Sequence, residues 1–218
     1  MKSNCRVMFT GVSGVGKTTL AKWASEYFNL PFISGSYSDL VKETKNMSHQ
    51  DMINQDAETV FRQDMQLLSL RNKEFSQCDD FITDRSFFDS AAYFINKLSH
   101  RLPQCDIEHA LECCKLLLSR HCTHLIFIPY SDKFFRDWVI EDNNKRILSK
   151  YYQYQVSQVM YGLLKLWGYK RYPKVWSKLH NGIDNMGTID IMGNKIKVLV
   201  LDELNLNKRK DIIKRFLM

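Results

Sequence analysis

The string Gly11-Val-Ser-Gly-Val-Gly-Lys-Thr18 constrains this chain more than any other part of it. It satisfies G-x-x-x-x-G-K-[ST] at every fixed position. An apolar run precedes it (Arg6-Val-Met-Phe-Thr10), and after it Leu20, Trp23, Ala24 and Tyr27 recur at helical spacing. A strand, a glycine-rich loop and a helix in that order form a phosphate cradle: the glycines let successive N–H groups turn inward at the positive end of a helix. Gly11, Val12, Ser13, Gly14, Val15, Gly16, Lys17, Thr18 and Thr19 are therefore the expected nucleotide-binding residues. Lys17 would bridge the β- and γ-phosphates of ATP, and the Thr18 hydroxyl would hold Mg²⁺.

The rest of the chain supplies elements to build around this loop. Pro31–Ile33, Phe81–Thr83, Leu125–Ile128 and Lys197–Leu201 read as further strands. Helical patterns run over about Ser48–Phe75, Phe87–Leu98, Asp106–His121, Phe134–Trp167 and Arg209–Leu217, while 168–194 mixes Gly, Asn, Pro and aromatics and shows no clear period. Alternation of strands and helices predicts an α/β fold with a parallel sheet of about five strands and helices on both faces. No linker or repeat divides the 218 residues, so a single domain, 1–218, is expected, with a lid-like helical segment at about 134–167.

Composition narrows the setting. The opening MKSNCRVMFTG has one short apolar run, which reads as neither signal peptide nor membrane span and points to the cytoplasm. The six cysteines form no C-x-x-C pair, so reduced thiols are expected rather than a metal site or disulfides. A net charge of +7 leaves room for a polyanionic partner.

Other motifs sort the P-loop classes. Asn72-Lys-Glu-Phe75 and Asn143-Asn-Lys-Arg146 lack the Asp of a guanine-reading N-K-x-D and follow no strand, which argues against a GTPase. The run Val198-Leu-Val-Leu-Asp202-Glu203 has the form of an ATPase strand ending in Asp-Glu, but its place near the C-terminal end of the sequence favours an ordinary last sheet strand. Asp84-Arg85-Ser86 closes a buried strand, where a carboxylate reaches Mg²⁺ and an arginine reaches a transferring phosphate.

On its P-loop and on Phe81 to Tyr93, the sequence resembles the P-loop kinases of nucleosides and nucleotides, the thymidylate-kinase and deoxynucleoside-kinase branch. The string Asp84-Arg-Ser-Phe-Phe-Asp89-Ser-Ala-Ala-Tyr93 also resembles kinases related to nicotinamide-riboside kinases, and phage-encoded kinases of this type. The resemblance implies that Asp84 is the Mg²⁺ or base carboxylate and Arg85 the phosphate clamp, with Asp89 capping or orienting the next helix.

Acceptor groups are expected outside the carboxyl end of the second strand. Ser34, Ser36, Tyr37 and Asp39 lie there, and Asp39 would orient or deprotonate a hydroxyl or cap the next turn. Gln63 and Asp64 would read a base edge, with Phe61 in the core. A lid would neutralise charge on the γ-phosphate through Arg136, Lys145, Arg146 or Lys150, of which Arg146 is preferred. Lys165–Lys178 interleaves cations with Trp167, Tyr169, Tyr172 and Trp176, a composition that would track a phosphate backbone and stack bases, although aromatics in a domain of this size more often pack in the core.

The expected activity is transfer of the γ-phosphate of ATP to a nucleoside or nucleoside monophosphate, deoxy-pyrimidine forms favoured. One alternative acceptor is a 5-hydroxymethyl pyrimidine in phage DNA, flipped out or single-stranded. A second alternative is a P-loop ATPase without transfer, resting on Asp202-Glu203. Oligomeric state is left open.

Overall fold

The computed structural model describes residues 4–34, 55–132, 150–172 and 185–218. Its seven-stranded sheet has the order β2-β3-β1-β4-β7-β6-β5. The strands are β1 Arg6–Gly11, β2 Phe32–Ile33, β3 Phe81–Thr83, β4 His124–Ile128, β5 Lys170–Arg171, β6 Met186–Ile191 and β7 Asn194–Val200. The five strands from β2 to β7 run parallel, as the alternation of elements predicted. β6 and β5 extend the sheet in antiparallel fashion, which makes it mixed and wider than expected.

The described helices are α1 Lys17–Phe28, α2 Ala57–Phe75, α3 Phe87–Leu98, α4 Gln104–His121, α5 Lys150–Leu166 and α6 Leu206–Leu217. Within the expected helical stretch Ser48–Phe75, read as one long helix or a pair, α2 begins at Ala57, where Asp56 takes an extended conformation and its carboxylate accepts from Thr59 N as the N-cap; residues 48–54 lie outside the described residues. Helices α1 and α6 pack on each other, and α3 packs among α2, α4 and α5. With the sheet they give the three-layer P-loop fold. No described helix is long and apolar enough to cross a membrane.

Helix α3 anchors the core, burying Phe87, Phe88, Ala91, Ala92, Phe94 and Leu98 on one face. Phe88 stands edge-on to Phe127 of β4 and to Trp167 just beyond α5. Each such side chain contributes about 1.5–3 kcal/mol by leaving water. This fixes where α3 begins, directly beside the end of β1. All six cysteines are free.

Candidate active site

The sheet order places the phosphate loop between two informative neighbours. β1 ends at Gly11 and α1 begins at Lys17, so the loop leaves the carboxyl end of the central strand. Gly11, Gly14 and Gly16 all have positive φ, of 142°, 81° and 88°. At Gly11 a Cβ would sit 2.2 Å from the Ile128 carbonyl oxygen, so only glycine fits. Helices α2, α3 and α6 have side-chain N-caps, whereas α1 starts from Gly16 without one and carries no acidic residue in its first turn. Its leading amides and positive dipole end thus remain available to an anion.

Lys17 is buried, and its ammonium donates to the carbonyls of Gly11 and Val12, each at 2.7 Å. That holds the cation across the mouth of its own loop. Thr18 is exposed, and its hydroxyl donates to Asp84 Oδ2 at 2.5 Å. Asp84 follows β3, the parallel neighbour of β1. The hydroxyl and carboxylate predicted to share a metal therefore converge, although they come from different elements. Two hard oxygens beside a phosphate cradle suit Mg²⁺, which binds through one or two protein oxygens together with phosphate and water. No group of three or more His, Cys, Asp or Glu that would hold a metal occurs among the described residues.

Arg85 is directed along α3. Burial lowers its pKa, and the Tyr93 phenol, which shares a hydrogen bond with it, outweighs this together with Asp89 and Asp84, leaving a net rise. One turn further on, the Lys97 ammonium lies 5.2 Å from the centre of the Tyr93 ring. Its pKa is lowered by burial but raised overall by Asp64, Tyr152 and Tyr93. Arg85, just before α3, and Tyr93 and Lys97 on α3 form a polar stripe, and Asp64 of α2 and Tyr152 of α5 face its far end. Gln63 and Asp64 are both buried. Phe61 packs on the core, edge-on to Phe94. Behind the stripe, Arg71 is buried and its pKa is lowered by that burial, with Glu74 opposing.

Two loop contacts had no sequence signal. Gln153 of α5 accepts from Ser13 N at 3.1 Å. Arg209 of α6 donates to the Val15 carbonyl at 2.9 Å and to the Glu203 carbonyl. Burial brings the Arg209 pKa down to about 10, against the pull of Glu203. Arg209 also borders a cavity of about 270 Å³, lined besides by Pro129, Tyr130, Ser157, Tyr161 and Asp202.

Other expected site residues sit elsewhere. Ser34 is exposed at the end of β2, while Ser36, Tyr37, Asp39, Arg136, Lys145 and Arg146 lie outside the described residues. Lys150, at the start of α5, pairs with Asp132 at 3.0 Å. Asp202 and Glu203 follow β7, which β4 separates from β1. Asp202 accepts from Asn185, and the Glu203 carboxylate accepts from the backbone N–H groups of Leu204 and Asn205, the latter chiefly lowering its pKa. In the basic-aromatic stretch, Trp167 is buried, and Tyr169 and Tyr172 pack partly buried on the core. Lys165, Lys170 and Arg171 are exposed, and 173–178 lie outside the described residues.

Residues 6–176 match the AAA_28 model, an AAA domain, and the chain belongs to that family. No curated protein matches. Among solved structures, the chain is similar to deoxyadenosine kinase from M. mycoides with bound dATP, at 14% identity and a TM-score of 0.63, over 98% of both chains. It is similar to the NadR protein in complex with NR, also at 14% identity and a TM-score of 0.63, over 98% of this chain and 50% of that one. Thymidylate kinase from Candida albicans is similar at 12% identity and a TM-score of 0.59, over 100% of this chain and 92% of that one. These likenesses show a P-loop kinase fold.

Proposed function

We propose that the chain is an ATP-dependent phosphotransferase acting on a nucleoside or nucleoside monophosphate, with deoxy-pyrimidine acceptors favoured. The observation that carries this reading is the meeting of Thr18 and Asp84 beside Lys17, at the carboxyl ends of neighbouring strands β1 and β3. The loop amides bind the donor phosphates. Lys17 exchanges its carbonyl partners for phosphate oxygens, and Thr18 with Asp84 would hold Mg²⁺. When bound, Mg²⁺ offsets negative charge on the phosphates.

The acceptor lies along the stripe from Arg85 to Lys97. Its phosphate or hydroxyl end meets Arg85, while Gln63 and Asp64 face its base. Arg146, from a lid at about 134–167, and Asp39, as general base, complete the site in this proposal. The cavity beside Arg209 is smaller than most whole-ligand sites and has room for the donor base. The enzyme acts in the cytoplasm, that of the host if it is phage-encoded.

A second reading keeps the chemistry and changes the acceptor to a 5-hydroxymethyl pyrimidine in DNA. Exposed Lys165, Lys170 and Arg171 and the net charge of +7 favour it. The described aromatics of that stretch pack on the core, so the support is electrostatic rather than base stacking. Hydrolysis without transfer, with Glu203 as base, is disfavoured because Glu203 follows β7, which β4 separates from the phosphate-loop strand β1, and its Oε1 caps the turn by accepting from Leu204 N and Asn205 N.

Transfer of labelled γ-phosphate from ATP with Mg²⁺ separates these readings when free nucleosides, nucleoside monophosphates, and DNA with or without hydroxymethylated pyrimidines are offered in parallel. Label on a small acceptor supports the first reading, and label retained only in modified DNA supports the second. Release of inorganic phosphate at an acceptor-independent rate, abolished by Glu203→Gln and unaffected by Asp84→Asn, would sink both.

A further inference from the structure

The buried carboxylate of Asp89 has more partners than a helix cap requires. β3 accompanies β1 only as far as Met8, opposite Thr83, whereas β4 follows β1 to Gly11, opposite Ile128. On its β3 side, the end of β1 therefore needs a partner from outside the ladder. Asp89 supplies one, its Oδ1 accepting from Gly11 N at 3.1 Å. Oδ2 accepts from Ser86 N at 2.8 Å and Ser86 Oγ at 2.9 Å, while Ser86 Oγ accepts from Asp89 N at 3.2 Å.

The Ser86 contacts form a capping box that starts α3. The Gly11 contact does not belong to that box. It ties the first residue of the phosphate loop to the turn Asp84-Arg85-Ser86, and Asp84 in turn meets Thr18 beyond the end of the loop. The connections form a ring: Gly11 through the loop to Thr18, across to Asp84, along the chain to Ser86, and through Asp89 back to Gly11. Asp89 is 3% exposed, so water has little access to replace it.

We infer that Asp89 is a positioning residue that fixes the phosphate loop relative to Asp84, and so sets the Thr18–Asp84 pair for metal-bound nucleotide. The inference rests on the nucleotide-binding reading above. Replacing Asp89 by Asn leaves one accepting oxygen and turns the other position into a donor, which faces an N–H of either Gly11 or Ser86. One arm of the ring must open.

The test is titration of a fluorescent ATP analogue with and without Mg²⁺, alongside thermal unfolding of the nucleotide-free proteins. Wild type, Asp89→Asn and Asp56→Ala are compared, the last removing the cap of α2 with no contact to the loop. Wild type is expected to bind more tightly with Mg²⁺. Asp89→Asn should lose most of that gain, weakening metal-dependent binding about tenfold, the equivalent of one buried hydrogen bond. Asp56→Ala should lower the unfolding temperature and keep the full Mg²⁺ effect.

An Asp89→Asn protein with the wild-type Mg²⁺ effect, altered only in unfolding temperature, would show a helix cap and nothing more, overturning the inference alone. Absence of binding by wild type would overturn the nucleotide-binding reading and this inference with it.

Discussion

Replacing Arg209 by alanine tests whether the C-terminal helix supports the phosphate loop. The Arg209 side chain is 2% exposed and remains charged at neutral pH, since its pKa lies at about 10. It donates to the Val15 carbonyl within the loop and to the Glu203 carbonyl at the approach to α6. A hydrogen bond from a charged donor contributes about 1.5–3 kcal/mol, and a buried carbonyl left without its donor adds a penalty. Water reaches the part-buried Glu203 side more readily than Val15, so a net loss of about 2–4 kcal/mol is expected. At this chain length each kcal/mol lowers the unfolding temperature by about 2–4 °C, so the expected fall is about 5–15 °C. Arg209→Lys, which reaches one carbonyl in place of two, should lose about half as much. Because Val15 sits among the amides of the cradle, ATP affinity should fall about fivefold or more in Arg209→Ala. Differential scanning fluorimetry with and without ATP reads both effects. An Arg209→Ala protein melting within about 1 °C of wild type would show that these bonds do not support the loop.

Other perturbations reach different parts of the molecule. Lys17→Ala should reduce phosphotransfer by about 10²–10³-fold in the labelled-ATP assay, through loss of a preorganised cation at the transferring phosphate. Gly11→Ala should cost at least about 3 kcal/mol and abolish soluble expression, because its Cβ would meet the backbone oxygen of Ile128 and the positive φ disfavours any side chain. His121 and His124 both have pKa values lowered to about 4, chiefly by burial. Each stays neutral in the fold but protonates near pH 6.5 when unfolded, so their stabilisation is complete above pH 6.5 and is lost as pH falls toward 4. Between pH 7 and pH 5 this amounts to roughly 1 kcal/mol each after allowance for solvent screening, and urea unfolding of His121→Gln and His124→Gln should show a flatter pH dependence.

The phosphate loop was legible in the sequence because its chemistry is local: the glycines, Lys17 and Thr18 are fixed by spacing along one short segment. Asp84 was legible because a short apolar strand ends immediately before it. Gln153 and Arg209 were hidden because they reach the loop from helices distant in sequence, and neither segment has a pattern distinguishing an inward polar residue from a solvated one. The β6–β7 hairpin was missed for a different reason. Its two-residue turn places Met192 and Gly193 at positive φ, a conformation usually announced by Asn-Gly or Asp-Gly, and a methionine in the first position conceals it. For Trp167 the sequence alone leaves base stacking and core packing both open, because its lysine neighbours fit either; α5 ends with a reversal at Gly168, and the ring turns inward to Phe88.

The short outer strands also bear on how the molecule behaves at high concentration. Among the described residues, β2 and β5 are the first and last in the sheet order and have two residues each, and the second is Lys170-Arg171 with both side chains exposed. A neighbouring molecule that tried to add a strand beyond β5 would find little backbone to pair with and two cations to place against its own surface. Among the described residues, sheet extension is thereby discouraged at β5, by features remote from the phosphate loop.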